Sequence, residues 1–266
     1  MIEYITANGV ELAYRFDGPA TGDADAPVLM LSNSLMSNHT MWDPQIDALT
    51  ADFRVLRYDT RGHGASAVPP GPYTMAMLGE DAAALMAALG LERVHFIGLS
   101  MGGMIGQYLG AIHPKRLMSL TLCDTACVMP PKTLWDDRIA QARSEGLAVA
   151  VEATLARWFT EPFRTPANPV TEKVAEMIRS TDVEGFAGCC AAIRDMDQTG
   201  LLASIKVPTR IIVGELDPGT PVAAAEALHA GIAGSELVVI PASAHLCNME
   251  CPEPFNRAVL DFLARI

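Results

Sequence analysis

The chain has 266 residues and a formal net charge of −12, because 31 aspartates and glutamates outweigh 19 lysines and arginines. Half of its residues are hydrophobic and 19% are charged, so the composition predicts a globular protein with a large core and excludes a disordered chain. The negative charge disfavours nucleic acid and membranes as partners, but one or two well-placed cations would suffice to bind a small anion.

The N-terminal segment MIEYITANGV has neither a basic region nor a long apolar stretch. We therefore expect no signal peptide and a cytoplasmic location. The six cysteines lack the spacings to histidine that are typical of zinc sites, so we expect reduced thiols and no bound metal. The sequence leaves the oligomeric state open.

A β-hairpin is predicted at the start of the chain, where two strand-like segments flank Asn8-Gly9, a dipeptide suited to a type I′ turn. Short apolar segments then predict buried strands at 27–33, 54–59, 94–98 and 117–124. A helical pattern over 74–90, with Thr74 at its start and Gly90 at its end, lies between two of them. This alternation predicts an α/β fold with a mostly parallel central sheet flanked by helices.

The alternation stops at Pro130-Pro131. Only helical patterns follow, at 132–145, 147–159, 170–181 and 184–195. Strands at 209–214 and 236–240 then resume the alternation, with helices over 221–231 and from Pro252. We therefore predict a core formed by 1–129 and 199–266, interrupted by an all-helical lid over 130–198.

The segment FIGLSMGGMIG, residues 96–106, contains the pattern G-x-S-x-G around Ser100. Residues 94–114 carry no Asp, Glu, Lys or Arg, so a membrane helix is an alternative interpretation. The strand pattern at 94–98 and the glycines after it favour a sharp strand-to-helix turn instead. Such a turn raises the serine hydroxyl above the sheet edge as a nucleophile, and the Met101 N–H beside it would stabilise an oxyanion.

A base and an acid for Ser100 are expected in loops at the carboxyl edge of the sheet. His245 directly follows the last predicted strand, whereas the other five histidines are more simply structural: His39, His63, His95, His113 and His229. Asp217 lies in a Pro/Gly loop after the strand at 209–214, with Asp124 and Glu215 as alternatives. The order Ser100, Asp217, His245 is typical of Ser-Asp-His hydrolases. A second oxyanion donor is predicted at the Leu35 N–H, in the loop NSLMSN.

Stretches distributed along the entire chain resemble sequences of the α/β-hydrolase family. More narrowly, the chain is similar to the 3-oxoadipate enol-lactonases. The stretches that carry this resemblance are LSNSLMSNHTMWDPQ (31–45), YDTRGHGAS (58–66), GLSMGG (98–103), ARWFTEPF (156–163), CCAAIRDMD (189–197) and GELDPGTP (214–221). One departure concerns the oxyanion loop, where Met36 occupies a position at which the resemblance predicts glycine.

The resemblance implies a serine hydrolase that opens the ring of a small anionic lactone through an acyl-enzyme, without a metal or cofactor. The acetate arm of that substrate predicts a cation in a largely apolar pocket under the lid. Trp135 and Arg138 share a helix face by their spacing, and Trp158 is expected in the pocket wall. Other candidates for the cation are Arg157, Arg164 and Arg194. Alternative functions are a general carboxylesterase, a cofactor-free perhydrolase or a ligand receptor on the same fold.

Overall fold

A computed structural model describes residues 1–19, 22–23, 25–166 and 168–266 of the chain. The strands are β1 (Glu3–Ala7), β2 (Val10–Asp17), β3 (Val28–Ser32), β4 (Arg54–Tyr58), β5 (Val94–Leu99), β6 (Leu117–Cys123), β7 (Thr209–Gly214) and β8 (Glu236–Ile240). The helices are α1 (Asp43–Leu49), α2 (Met75–Ala88), α3 (Met101–Ile112), α4 (Lys132–Glu145), α5 (Val151–Trp158), α6 (Pro169–Ser180), α7 (Val183–Asp195), α8 (Val222–Gly231), α9 (Cys247–Glu250) and α10 (Pro252–Leu263).

Within the described ranges, the strands form one sheet in the order β1-β2-β4-β3-β5-β6-β7-β8. The pairs β1–β2 and β2–β4 are antiparallel, and all the other neighbouring pairs are parallel. The carboxyl ends of the six strands from β3 to β8 therefore meet at one edge of the sheet. This edge is where an open parallel sheet of this type binds its ligands.

The predicted α/β architecture is confirmed, and each predicted strand is present. Asn8 and Gly9 join β1 to β2 with φ angles of 49° and 74°, the positive values that a type I′ turn requires. Thr74 caps α2, because its hydroxyl accepts the backbone N–H of Met77 at 3.1 Å. The hairpin turn and the helix cap each have a clear local cause, so both could be predicted from the sequence.

Three helical details differ from the prediction. The pattern at 147–159 begins with a 3₁₀ turn over 148–150, and the α-helix starts only at Val151. Helices α1 and α9 were not predicted, because they have only seven and four residues and show no apolar period of their own. Both are held by packing against neighbouring elements: α1 against α10, and α9 against α10 and α1.

The segment between β6 and β7 contains helices α4 to α7 within residues 130–198, and we call this segment the helical insertion. Helix α4 packs on α7, and α5 packs on α6. The membrane-helix alternative for 94–114 is wrong, because this stretch forms strand β5 followed by the 12-residue helix α3. In the described part of the chain, no helix has the length and apolar character needed to cross a membrane.

Glycines allow the backbone of β5 and α3 to approach very closely. A Cβ atom at Gly98 would overlap the carbonyl group of Gly102, and a Cβ at Gly102 would overlap the carbonyl group of Ser32. These contacts are with backbone atoms, which cannot rotate away. The tight passage from β5 into α3 therefore requires glycine at both positions.

We expect Gly98→Ala to lower the free energy of unfolding by about 3 kcal/mol, since the added methyl group must push the two backbones apart. Urea denaturation followed by circular dichroism measures this loss. Gly200→Ala is the matched control, because no atom lies within 4 Å of the position of its added Cβ. The control should change stability by less than about 0.5 kcal/mol. Equal effects of both substitutions would contradict the close-approach argument.

Candidate active site

Ser100 occupies the sharp turn between β5 and α3. Its φ and ψ are 56° and −115°, a left-handed conformation that is strained for any residue other than glycine. Backbone hydrogen bonds hold it there: the Ser100 N–H donates to the Cys123 carbonyl at 2.8 Å, and the Ser100 carbonyl accepts the Met104 N–H at 3.0 Å. The Thr125 hydroxyl also donates to that carbonyl, at 2.7 Å. The predicted strand-to-helix turn is thus present.

Asp217 and His245 lie together at the carboxyl edge of the sheet, as the sequence predicted. Asp217 Oδ2 is 2.7 Å from Nδ1 of His245, in the loops after β7 and β8. The other carboxylate oxygen accepts the N–H groups of Gly219 and Thr220 at 2.7 and 3.1 Å. The Thr220 hydroxyl donates to Oδ2 at 2.6 Å. Sequence reasoning missed Thr220, for which the only signal was its place in the Pro/Gly loop.

The electrostatic environment keeps Asp217 ionised and holds the His245 ring oriented against it. Burial alone would raise the pKa of Asp217, but the charge and hydrogen bond of His245, with the Thr220 donors, hold it below its ordinary value. Burial alone would lower the pKa of His245, but the Asp217 carboxylate raises it above its ordinary value. An imidazole held in this way can accept a proton through Nε2 while Asp217 stabilises the resulting charge.

The two alternative acids have other partners. Asp124 is fully buried and accepts the Gly214 N–H at 2.7 Å and the Cys247 thiol at 2.8 Å. Burial, followed by repulsion from Asp217, raises the pKa of Asp124 well above its ordinary range, which favours its neutral form. Glu215 accepts the Ala242 N–H at 2.9 Å. Asp217 is therefore the carboxylate that orients His245.

A cavity of about 420 Å³ brings the predicted residues together between the sheet edge and the helical insertion. Ser100, Asp217 and His245 lie on its core side, and α4 and α5 contribute Trp135, Arg138, Arg157 and Trp158. Met104, Met129, Leu134 and Ile193 make much of the remaining wall apolar. The Trp158 ring lies 6.1 Å from the His245 ring, centroid to centroid. The cavity is thus lined more by apolar than by polar surface, as is typical of small-molecule sites.

The turn at residues 33–36 borders the same cavity and is anchored from below. The Asn33 carbonyl accepts the Gly102 N–H at 3.0 Å, and its side chain accepts the Trp42 indole N–H at 2.9 Å. Leu35 lines the cavity, and within the described residues its N–H and that of Met101 have no protein acceptor. Both backbone donors predicted for an oxyanion are therefore free to bind a ligand.

Two features of this turn went beyond the sequence prediction. Met36 adopts a φ of 57°, so methionine takes the left-handed conformation for which glycine was expected. The Ser34 hydroxyl is buried and, among the described residues, has no hydrogen-bond partner. Ser34 lines the cavity, but its hydroxyl oxygen is not exposed at the cavity surface.

Two arginines of the helical insertion supply positive charge to the cavity. The Arg138 guanidinium lies 4.8 Å from the centre of the Trp135 ring, which confirms that these side chains share a face. Arg157 donates to the Thr154 hydroxyl at 3.1 Å. Neither guanidinium has a carboxylate partner in the part of the chain that the structure describes. Burial lowers the pKa of both groups, and repulsion from Arg138 adds to this effect at Arg157.

The other two candidate cations lie outside this cavity. Arg194 is paired with Asp136 and Asp195 at 2.7 and 2.6 Å on the outer face of the insertion. Arg164 is half-buried in the connection between α5 and α6. No group of three or more His, Cys, Asp or Glu side chains among the described residues could hold a metal ion.

The profile of the α/β-hydrolase fold family matches residues 27–252. The chain belongs to this family. It is 38% identical to 3-oxoadipate enol-lactonase 2 of Acinetobacter baylyi, over 96% of this chain and 94% of that protein. It is 32% identical to RutD of Caulobacter sp. (strain K31), a candidate carbamate hydrolase, over 93% of each chain.

Solved structures of similar proteins agree with this family assignment. The enol-lactonase from Burkholderia xenovorans LB400 superposes with a TM-score of 0.95 at 40% identity, covering 98% of this chain and all of that one. A thermophilic esterase from Thermogutta terrifontis superposes with a TM-score of 0.91 at 32% identity, covering 100% and 98% of the two chains. The family and these relatives support a hydrolase of esters or lactones.

The pairing of His245 with Asp217 predicts a specific response to substitution. We expect an NMR titration to give His245 a pKa above about 6.5, the ordinary histidine value, and Asp217→Asn to lower it below that value. Asp217→Asn removes the negative charge that raises the His245 pKa, whereas the burial that lowers this pKa remains. Asp124→Asn is the comparison variant and should lower the His245 pKa less, because Asp124 raises that pKa less than Asp217 does. A drop in the His245 pKa with Asp124→Asn, but not with Asp217→Asn, would assign the acid to Asp124.

Proposed function

We propose that the protein is a serine hydrolase that opens 3-oxoadipate enol-lactone, or a close anionic lactone, to the dicarboxylic acid. The observation that carries this proposal is the pair of guanidiniums, Arg138 and Arg157, in the cavity that also holds Ser100 and His245. Both guanidiniums are partly removed from water and have no carboxylate partner among the described residues, so a substrate carboxylate would supply the missing partner. A site for neutral esters would gain nothing from these charges.

Ser100, Asp217 and His245 act as the catalytic triad in this proposal. His245 takes the hydroxyl proton of Ser100 while Oγ forms a bond to the lactone carbonyl carbon. The ring C–O bond then breaks, and the enolate oxygen leaves with the proton from His245. Because the leaving group stays attached to the acyl chain, the ester on Ser100 carries all the atoms of the substrate. Water activated by His245 then releases the acid and restores the hydroxyl.

The N–H groups of Leu35 and Met101 stabilise the negative charge that develops on the carbonyl oxygen. Trp135 and Trp158 form the apolar walls against the ring, and Arg138 receives the carboxylate arm together with Arg157. No step of this mechanism requires a metal or an organic cofactor.

A general carboxylesterase is the second candidate, favoured by the 32% identity to the Thermogutta terrifontis esterase. It would use the same triad and differ only in the pocket. The discriminating property is therefore the dependence of turnover on the negative charge of the substrate.

Steady-state hydrolysis of 3-oxoadipate enol-lactone and of neutral p-nitrophenyl acetate tests the proposal. We expect kcat/KM to favour the lactone by at least about 100-fold, since charge-assisted hydrogen bonds to a carboxylate contribute about 1.5–3 kcal/mol each. Arg138→Ala and Arg157→Ala should each lower kcat/KM for the lactone by about 10-fold or more and leave the neutral ester within about threefold.

Arg194→Ala is the matched control, since this arginine is paired on the outer face of the insertion. It should change neither activity. Equal turnover of both substrates, with no selective effect of Arg138→Ala or Arg157→Ala, would reject the anionic lactone and favour the general esterase.

A further inference from the structure

The loop RGHG, residues 61–64, follows β4 and takes no part in the proposed mechanism, yet it contacts the oxyanion turn directly. The backbone N–H of Met36 donates to Nε2 of His63 at 3.0 Å. A ring nitrogen that accepts a hydrogen bond carries no proton, so the proton of the neutral imidazole must be on Nδ1. Nδ1 lies 3.5 Å from the Arg61 carbonyl oxygen, its nearest oxygen acceptor.

The hydrogen bond acts at the most strained point of the turn. Met36 has a φ of 57°, a conformation that costs free energy for a side chain such as methionine. The residue before it is Leu35, whose N–H is the proposed oxyanion donor. Holding the Met36 N–H in place fixes the peptide bond that immediately follows Leu35. The imidazole thus compensates for the missing glycine at position 36.

His63 is itself held rigidly, and one of its contacts comes from the helical insertion. Its imidazole is buried, and Nδ1 lies 3.8 Å from the Cys189 thiol of helix α7. Gly62 and Gly185 allow the RGHG loop and α7 to touch through their backbones. A chain of contacts therefore runs from α7 through His63 to the turn at 33–36.

The surroundings of His63 keep it uncharged. Burial lowers the pKa of His63 to about 4, against the raising effects of the Arg61 carbonyl, Asp59 and Asp182. The Arg61 guanidinium is paired with Asp81, and burial raises the pKa of the Cys189 thiol well above its ordinary range. The imidazole therefore stays a hydrogen-bond acceptor throughout the pH range in which His245 is neutral.

We propose that His63 is a positioning residue for the oxyanion hole: its neutral imidazole accepts the Met36 N–H and thereby directs the Leu35 N–H towards the reacting carbonyl oxygen. This inference rests on the proposed serine hydrolase function but not on the identity of the lactone. A group that only positions a transition-state donor affects kcat more than KM.

Two substitutions separate the hydrogen bond from packing. His63→Phe fills the space without an acceptor, and His63→Gln offers an amide oxygen in its place. With the enol-lactone and p-nitrophenyl acetate, we expect His63→Phe to lower kcat by about 10- to 100-fold with KM within about threefold, because a displaced oxyanion donor weakens mainly the transition state. The kcat of His63→Gln should be at least about tenfold higher than the kcat of His63→Phe. Wild-type kcat in His63→Phe, or equal losses in both variants, would overturn the proposal.

Nitrogen-15 NMR of histidine-labelled wild-type protein provides a test that does not depend on how the variants fold. We expect His63 near neutral pH to have a protonated Nδ1 and an unprotonated Nε2. A proton on Nε2 would overturn the proposal, since that nitrogen could not accept the Met36 N–H. The two failures are distinguishable: no ester turnover by the wild type rejects the hydrolase function, whereas an Nε2-protonated His63 in an active enzyme rejects only its positioning role.

Discussion

The backbone of Ser100 is held in a left-handed conformation between β5 and α3, and the geometry of the whole site depends on this constraint. The strain is balanced by hydrogen bonds from two neighbouring elements: the Cys123 carbonyl at the end of β6 and the Thr125 hydroxyl beyond it. The N–H of Gly102, the second residue of α3, donates to the carbonyl of Asn33 just beyond the end of β3. Nucleophile and oxyanion turn are therefore built on one connected backbone network.

The sheet brings residues that are far apart in sequence together at one of its edges. Its parallel strands end side by side, so Asp217 after β7 meets His245 after β8 at 2.7 Å. The neighbouring Asp124, at the end of β6, is buried in contacts with Gly214 and Cys247. It supports the loop that carries Asp217, which explains why two carboxyl groups can lie so close to one histidine.

The helical insertion forms one side of the cavity. Among the described residues, Arg138 and Arg157 have no carboxylate partner, so they bring positive charge into a mainly apolar cavity, and the Trp135 ring supports the Arg138 guanidinium from its face. The same segment contacts His63 through α7, and His63 in turn contacts the turn at 33–36. The insertion thus lines the cavity and also contacts, through His63, the turn at 33–36.

The sequence was sufficient to predict the sheet, the turn at Ser100 and the loops of Asp217 and His245, because each has a local signal in apolar runs, glycines or strand ends. It could not choose among the arginines, since helix periodicity does not tell which face of a surface helix lines a cavity. Arg194 and Arg157 carry the same charge, but only the structure separates the paired surface residue from the one inside. The contact between His63 and Met36 joins residues 27 positions apart and has no sequence pattern.

The central claim is that Ser100 attacks a lactone whose leaving group stays attached. Rapid quenching during turnover of the enol-lactone, followed by mass spectrometry of the intact protein and its peptides, tests this most directly. The account predicts an adduct equal to the full mass of the lactone on the peptide containing Ser100, and no lactone hydrolysis by Ser100→Ala above the uncatalysed rate. An adduct on another residue, or undiminished hydrolysis by Ser100→Ala, would contradict it.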